Sequence, residues 1–411
     1  MATKDWTQMP LGEFVTLQRG HDLPGERRRS GSVPILGSFG ITGWHDEPRA
    51  PGPGVTVGRS GASFGVVAYS PVPYWPLNTA LYVIDFHGND PRFAYYFLQA
   101  FDFQRYNSGS AQPSLNRNFV HPALVVVPPL AEQRAIAHIL GTLDDKIELN
   151  RRMSETLEAI ARALFKSWFV DFVPVRDKAN GRDRALCRPF ADLFPARLLD
   201  SEVGEIPEGW EVGTFGDVVE PLWDQENPLD SPHSSFRHFS IPAFDEGRCP
   251  KEELGEAIRS IKLRVPPGVV LLSKLNPEIE RVWLVDVEPN DRAVCSTEFL
   301  VLRPRPPAGR GFAYCLARSR LFRRELAGLV TGTSKSHQRA HAVPILGLSV
   351  VRPSEGPIEA FEREAGPLLA RTLKCRRESG ILAALRNALM PKLTSGELRV
   401  KDADKFIARA V

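Results

Sequence analysis

Two stretches of this chain gather side chains that donate and accept hydrogen bonds in fixed geometry, and neither shows apolar periodicity. Arg105-Tyr-Asn-Ser-Gly-Ser-Ala-Gln-Pro-Ser-Leu-Asn-Arg117 holds Asn107, Ser108, Gln112, Ser114, Asn116 and Arg117. Thr331-Gly-Thr-Ser-Lys-Ser-His-Gln-Arg339 holds Thr333, Lys335, Ser336, Gln338 and Arg339. Arginine matches the paired acceptors of guanine, and asparagine or glutamine matches adenine, so loops of this composition are fitted to read base edges. The competing reading is a solvated polar loop. Gly58-Arg59-Ser60-Gly61-Ala-Ser63-Phe-Gly65 adds Arg59, Ser60 and Ser63, and Ser273-Lys274-Leu275-Asn276 adds Lys274 and Asn276. Arg59 and Lys274 can approach a polyanion from a strand-to-loop turn, or simply serve the turn. Arg27-Arg28-Arg29 is read as a solvated basic loop, with phosphate neutralisation as the alternative.

Catalytic chemistry finds no matching pattern. The Gly58–Gly65 run lacks the Gly-Lys-Ser/Thr ending of a phosphate loop. Asn276-Pro277-Glu278-Ile279 lacks the second proline and aromatic of an adenine methyltransferase motif, and no glycine-rich strand-to-helix turn offers a cofactor site. Glu298-Phe-Leu lacks the lysine of a nuclease Glu-x-Lys, and no paired carboxylates stand at metal spacing. Cys187, Cys249, Cys295, Cys315 and Cys375 are far apart, without a CxxC or a nearby histidine, so they are read as free thiols. A non-catalytic chain without cofactor or metal of its own is expected.

The 411 residues are 43% hydrophobic and 25% charged with a formal net charge of +3, ordinary globular values that leave any anionic partner to local basic patches. No long apolar run spans a membrane, and Met1–Pro10 carries Lys4, Asp5 and Gln8 where an export signal needs an apolar core, so the cytoplasm is expected. A length of this order implies two or three packed units.

The units are related. Trp6-Thr-Gln-Met-Pro-Leu-Gly12 is similar to Trp210-Glu-Val-Gly-Thr-Phe-Gly216, and Asn78-Thr-Ala-Leu-Tyr-Val-Ile84 to Ser296-Thr-Glu-Phe-Leu-Val-Leu302. Val126-Val-Pro128 aligns with Val351-Arg-Pro353, Gly141 with Gly366, and Arg151-Arg152 with Arg376-Arg377 at one unchanging offset. Segments that refuse insertions are regular elements packed along their length. Leu143, Ile147, Asn150, Ser154, Leu157, Ala161, Leu164 and Trp168 step at four and three residues, the seam of a parallel or antiparallel coiled coil. Leu368, Thr372, Cys375, Ser379, Leu382 and Leu389 repeat the steps, with Arg386 the one charged position and Leu385 beside it. Asn150 and Ser154 are read as setting register. Gly141 and Gly366-Pro367 predict breaks, each helix following a shorter one at Ala131–Leu140 or Ile358–Ala365. Val33–Ile84 and Ile258–Leu302 read as short strands, Pro91–Phe103 and Gly311–Leu326 as short helices. Val173–Gly209 reads as a polar, turn-rich connector.

Paired helices bearing similar globules predict pseudo-two-fold symmetry, satisfied by antiparallel helices. A helix over Leu143–Phe169 is roughly 40 Å long at about 1.5 Å per residue. That length corresponds to about 12 base pairs, so two reading modules would meet one face of a duplex about one turn apart. A rod of the same kind could also spread two protein-binding globules.

Particular motifs carry a family resemblance. Pro129-Leu-Ala-Glu-Gln-Arg-Ala-Ile-Ala137, Ile139-Leu140 with Leu143-Asp-Asp-Lys-Ile-Glu-Leu-Asn-Arg-Arg152, and Leu164-Phe-Lys-Ser-Trp-Phe-Val-Asp-Phe172 closely resemble the central helix of type I restriction-modification specificity subunits. Gly204-Glu-Ile-Pro-Glu-Gly-Trp210 resembles that family's entry to a second recognition domain, and Leu389-Met-Pro-Lys-Leu-Thr-Ser-Gly-Glu-Leu-Arg-Val400 its ending. Gly58-Arg59-Ser60-Gly61 and Trp75-Pro-Leu-Asn-Thr79 resemble its recognition-domain signatures. The second half departs, with Ser273-Lys274-Leu275-Asn276-Pro277 in place of Gly-Arg-x-Gly and Ile358-Glu-Ala-Phe361 in place of Glu-Gln-Arg-Ala.

The resemblance implies an α+β fold of two pseudo-symmetric, strand-rich target-recognition domains separated by two long antiparallel coiled-coil helices. The expected divisions are a first recognition domain over 1–130, a spacer helix over 131–172, a connector over 173–209, a second recognition domain over 210–355, a second spacer helix over 356–395 and a tail over 396–411. It implies sequence-specific reading of a bipartite, asymmetric double-stranded DNA target, one half-site per domain. The partners implied are two modification (methyltransferase) subunits and the restriction/translocase subunits, with S-adenosylmethionine, ATP and magnesium belonging to them.

Overall fold

The computed structural model describes residues 5–109, 113–181, 188–330 and 338–401. The chain divides into two compact units, Met1–Glu148 with Ile381–Val411, and Leu149–Gly380.

The first unit contains β1 (Thr7–Pro10), β2 (Thr16–Arg19), β3 (Val33–Gly37), β4 (Gly40–His45), β5 (Gly54–Gly58), β6 (Val67–Ser70), β7 (Trp75–Pro76), β8 (Ala80–Asp85) and β9 (Leu124–Val127). They form sheets ordered β2-β8-β5-β6, β4-β3-β7 and β1-β9. The second unit contains β10 (Leu198–Ser201), β11 (Gly204–Pro207), β12 (Glu211–Thr214), β13 (Val219–Leu222), β14 (Gln225–Glu226), β15 (Ser235–Phe239), β16 (Lys251–Leu254), β17 (Lys262–Arg264), β18 (Val270–Ser273), β19 (Val282–Leu284), β20 (Ala293–Cys295), β21 (Phe299–Pro304) and β22 (Ser349–Arg352). Their sheets are ordered β13-β21-β18-β19, β14-β17-β20-β15-β16, β12-β22 and β10-β11.

Register demonstrates the duplication. Thr7 faces Val127 in the first unit and Glu211 faces Arg352 in the second, pairs related by the offsets read from Trp6/Trp210 and Val127/Arg352. The four-stranded sheets correspond strand for strand, but the middle of the alignment shifts. Gly58 faces Ala80 and Ser273 faces Phe299, so the counterpart of Ala80 is Phe299, where the sequence pairing placed Glu298. The loops between these strands absorb the added residues, and similar apolar runs do not reveal a one-residue slip. In a strand that slip would exchange the two faces.

The long helices also differ from expectation. Leu130–Phe169 is one 40-residue helix and Glu355–Thr394 another, each roughly 60 Å along its axis, so the predicted breaks are absent. Gly141 makes room for a neighbour instead. A Cβ there would stand 2.6 Å from the Arg92 guanidinium carbon, and Arg92 donates to the Gly141 carbonyl at 3.1 Å. Pro367 lacks the N–H that would bond to the Arg363 carbonyl, yet Ala365 and Leu369 on either side are buried in the second unit's core. Gly366 removes the Cβ that would crowd the proline ring, and packing carries the helix through.

Each unit uses one part of both helices. In the first, Ile136, Ala137 and Leu140 join Leu385, Leu389 and Leu393 in the core, and Arg386 donates to Asp144 at 2.5 Å. In the second, Ala161, Phe165, Trp168 and Phe169 join Phe361, Ala365, Leu369 and Leu373. There Asn150 donates to Glu378 at 2.9 Å, Met153 meets Cys375 at 3.5 Å, and the Phe165 and Phe361 rings are 5.7 Å apart, a falling register that makes the pairing antiparallel. Asn150, Ser154, Ala161 and Trp168 of the expected seam are buried, as is Glu158, which the pattern did not mark.

Two other expectations are revised. Gly311–Leu326 is two helices, Arg310–Ala317 and Arg320–Gly328, because Ser319 caps the second by accepting from Phe322 N at 3.4 Å. Val173–Gly209, read as a connector, holds a helix at Val173–Ala179 and the β10–β11 hairpin, and anchors Val175 and Phe194 in the second core. A few apolar residues suffice to anchor an otherwise polar segment. Cys249, Cys295, Cys315 and Cys375 are free thiols, and Cys187 lies outside the described residues.

Candidate nucleic-acid interface

Arg59 follows the end of β5, and the chain around it is held from two sides. Its N–H donates to the Thr79 carbonyl at 3.2 Å, and its carbonyl accepts from Leu115 N at 2.7 Å. Lys274 follows the end of β18 in the same frame, donating to the Glu298 carbonyl at 2.8 Å and accepting from Ala340 N at 3.0 Å. The main chain of a basic residue is thereby held between the start of a core strand and Leu115 in one unit, Ala340 in the other.

The first polar loop lies directly against this turn. Ser60 bridges to Ser114, and Gly61 N donates to the Pro113 carbonyl at 3.2 Å. Asn107 Oδ1 accepts from both Gly109 N and Ser114 N at 3.0 Å, and the Ser108 hydroxyl donates to the Ser114 carbonyl at 2.8 Å. Asn107, Ser108 and Ser114 therefore brace the loop. Asn116 caps the short helix Arg117–Val120 by accepting from Asn118 N at 3.0 Å, which leaves its amide N–H groups as donors. Arg117 and Ser60 are exposed. Ser63 is buried and its hydroxyl donates to the Ser60 carbonyl at 2.9 Å, so it holds the turn's shape. Arg59 Nε is buried without a hydrogen-bond partner, a donor whose desolvation is uncompensated within the described residues. Gln112 lies outside the described residues.

His121 supports the loop's far end. Leu17 N–H donates to its Nε2 at 3.0 Å, which requires the neutral ring, and burial together with the nearby Arg117 charge lowers its pKa.

In the second unit Leu275 bridges to Arg339, and Asn276, with φ +47, donates to the Gln338 carbonyl at 2.8 Å. Arg339 gives two hydrogen bonds to Glu298, at 2.7 and 3.0 Å, a fork that fixes the guanidinium plane. In the sequence Glu298 is weighed only as part of a nuclease-like Glu-x-Lys that lacks its lysine; its pairing with Arg339 depends on the fold. The Asn276 side-chain oxygen is buried without a partner. Thr333, Lys335 and Ser336 lie outside the described residues.

Both units thus bring one basic residue at the end of a core strand against a second segment, Ser114–Leu115 in one and Gln338–Ala340 in the other. This repeated frame, on an α+β scaffold with two antiparallel helices, is that of an internally duplicated fold. Residues 3–159 match the family model described as type I restriction modification DNA specificity domain. The type I restriction enzyme MjaIX specificity subunit of Methanocaldococcus jannaschii is 25% identical over 84% of this chain and 77% of its own length. The HindI specificity subunit of Haemophilus influenzae is 24% identical over 70% of this chain and 71% of its own. The crystal structure of the type I restriction-modification S subunit from M. genitalium shares the fold, with a TM-score of 0.59 over 96% of this chain and 97% of that one at 14% identity. Residues 3–159 thus match a type I restriction modification DNA specificity domain, and the chain is similar over most of its length to type I restriction enzyme specificity subunits. Among the described residues no helix is long and apolar enough to cross a membrane.

Proposed function

We propose that this chain reads a bipartite, asymmetric sequence in double-stranded DNA, one half-site with each unit, and carries no catalytic step itself. The observation that supports this most is the shared cradle around Arg59 and Lys274. Its backbone frame is the same, while the side chains it presents differ, Arg59 with Asn116 and Arg117 in one unit, Lys274 with Gln338 and Arg339 in the other. Equal frames with unequal reading groups select unequal half-sites. Gln112, Thr333, Lys335 and Ser336 are proposed to contact DNA as well. The long helices expose Leu149, Ile160 and Ile381, large apolar groups suited to docking the modification subunits, with the restriction subunits joining them. Methyl transfer from S-adenosylmethionine and the ATP- and magnesium-dependent steps belong to those partners. The cytoplasm is the compartment this reading requires.

The test is selection from a randomised duplex pool by the full chain together with its modification subunit. One bipartite sequence should be enriched, and affinity should fall steeply between low and physiological salt. A flat salt response without enrichment would favour a protein scaffold. Adding one heptad after Glu148 and one after Gly380 should lengthen the unread spacer by about three base pairs, because seven helical residues add roughly 10 Å. An unchanged spacer would refute the role of the helices as a ruler.

A further inference from the structure

The connection from β3 to β4 has only two residues, Ser38 and Phe39, closed by Gly40 at φ +103. Such tips usually carry small or polar residues, because the turn stands in water with nothing apolar to cover it. Phe39 is 67% exposed, and Ile41 and Trp44 on β4 are 60% and 54% exposed. Ile35 and Leu36 on the facing strand are buried, so the hairpin is anchored and its tip held out. Three large apolar groups presented together are favourable only when something covers them.

Their position identifies what covers them. A Cβ built on Gly58 would stand 2.7 Å from the Ser38 carbonyl, so the hairpin tip lies against the residue that immediately precedes Arg59. Tip, basic turn and polar loop form one continuous surface. Arg28 braces the hairpin, donating to the Leu23 and Thr42 carbonyls at 3.4 Å, and Arg27 beside it is exposed. Arg29 is neutralised by Asp46 at 2.6 Å and Glu47 at 3.0 Å. Among the described residues no carboxylate pairs with Arg27, Arg28 or Arg59. An apolar protein patch makes no use of uncompensated cations, whereas duplex DNA carries about one charge per 1.7 Å of axis.

We infer that Phe39 is an apolar wedge that inserts against a base step of the half-site read by the first unit, with Arg27 and Arg28 on the adjacent phosphates. This rests on the proposed reading of DNA by that unit. A wedge of this kind partly unstacks the step, so it selects sequence through the ease of deformation, without hydrogen bonds. Among the described residues of the second unit the corresponding connection has no equivalent. The connection from β15 to β16 contains the helix Ile241–Asp245, and its aromatic Phe244 is buried with the Arg248 guanidinium 5.1 Å from the ring centre. The distortion is confined to one half-site.

The experiment uses the full chain with its modification subunit and the duplex obtained by selection, with 2-aminopurine placed at successive positions of both half-sites. Wild-type protein should raise the fluorescence at one step of one half-site. Phe39→Leu should keep that rise; Phe39→Ala should abolish it and weaken binding about tenfold, with the salt dependence unchanged, since no charge is removed. An unchanged melting temperature shows that the substitution leaves the fold intact. Wild-type binding in which Phe39→Ala keeps both affinity and fluorescence overturns the wedge alone. Loss of association with the modification subunit at unchanged DNA affinity overturns it in favour of a protein contact. Failure of wild-type protein to select any duplex overturns the DNA reading and the wedge with it.

Discussion

Replacing Glu158 by Gln removes the carboxylate on which a buried cluster of the second unit converges. Arg376 approaches it at 2.7 Å, Arg318 and Arg248 at 3.2 Å, and the Tyr314 hydroxyl donates to it at 2.6 Å. Only 7% of the Glu158 side chain and 5% of that of Arg318 are exposed. Removing one partner from a buried ion pair costs about 3–5 kcal/mol, because the remaining charge is left desolvated. Arg318 retains Glu280 at 2.6 Å and Arg248 reaches water, but Arg376 already has a buried Nη1 without a partner, so the lower end applies, about 3 kcal/mol. Burial pushes the Glu158 pKa up, but Arg376 and Arg318 outweigh it and hold the group at about 2, which against an ordinary 4.5 corresponds to about 3 kcal/mol at neutral pH. For a unit of this size that lowers the melting temperature by roughly 6–12 °C. Calorimetry of the full chain, with fluorescence of the buried Trp168, Trp210 and Trp283 marking the second unit's transition, measures it. The control is Glu155→Gln, which removes an exposed ion pair with Arg151 and should cost at most about 0.5 kcal/mol. A Glu158→Gln transition within about 2 °C of the parent would falsify the assignment of this cluster as a major stabilising element.

The same group sets a pH dependence. Its folded pKa lies below its unfolded one, so its contribution is complete above about 4.5 and is lost as pH falls toward about 2; Glu158→Gln should flatten stability in that window, as read by denaturation at stepped pH. Pro367→Ala restores a helix N–H and should stabilise the second unit by about 2 kcal/mol in urea unfolding, after allowing for the greater freedom of the unfolded chain. Gly141→Ala should show no such gain, because the new methyl displaces the Arg92 guanidinium from the Gly141 carbonyl and from Asp145. Arg59→Gln and Lys274→Gln should each relax preference in one half-site and leave the other intact, seen by selection with each variant; loss of preference in both from either change would contradict one half-site per unit.

Much of this protein was legible in its residue order. The duplication, its terminal offsets and the seam through Asn150, Ser154, Ala161 and Trp168 follow from periodicity and repeated motifs, because helical contacts between neighbouring turns are local in sequence. The basic turns at Arg59 and Lys274 could be matched by position as well. Tertiary structure decided what local pattern leaves open. Gly366-Pro367 is a strong stop signal overruled by Ala365 and Leu369 in the core, and Gly141 is a glycine for the sake of Arg92. Asn107, Ser108 and Ser114 are polar residues of a kind suited to reading bases, but their hydrogen bonds close a loop, while Glu298 enters the site only because Arg339 folds over it. Phe39 would be buried by default in any reading from composition; only the two-residue turn that carries it, set against Gly58, holds it in water beside the arginines. Sequence specifies which side chains are available at each position, but whether a polar atom is spent internally or an apolar one left exposed is settled by partners distant in the chain.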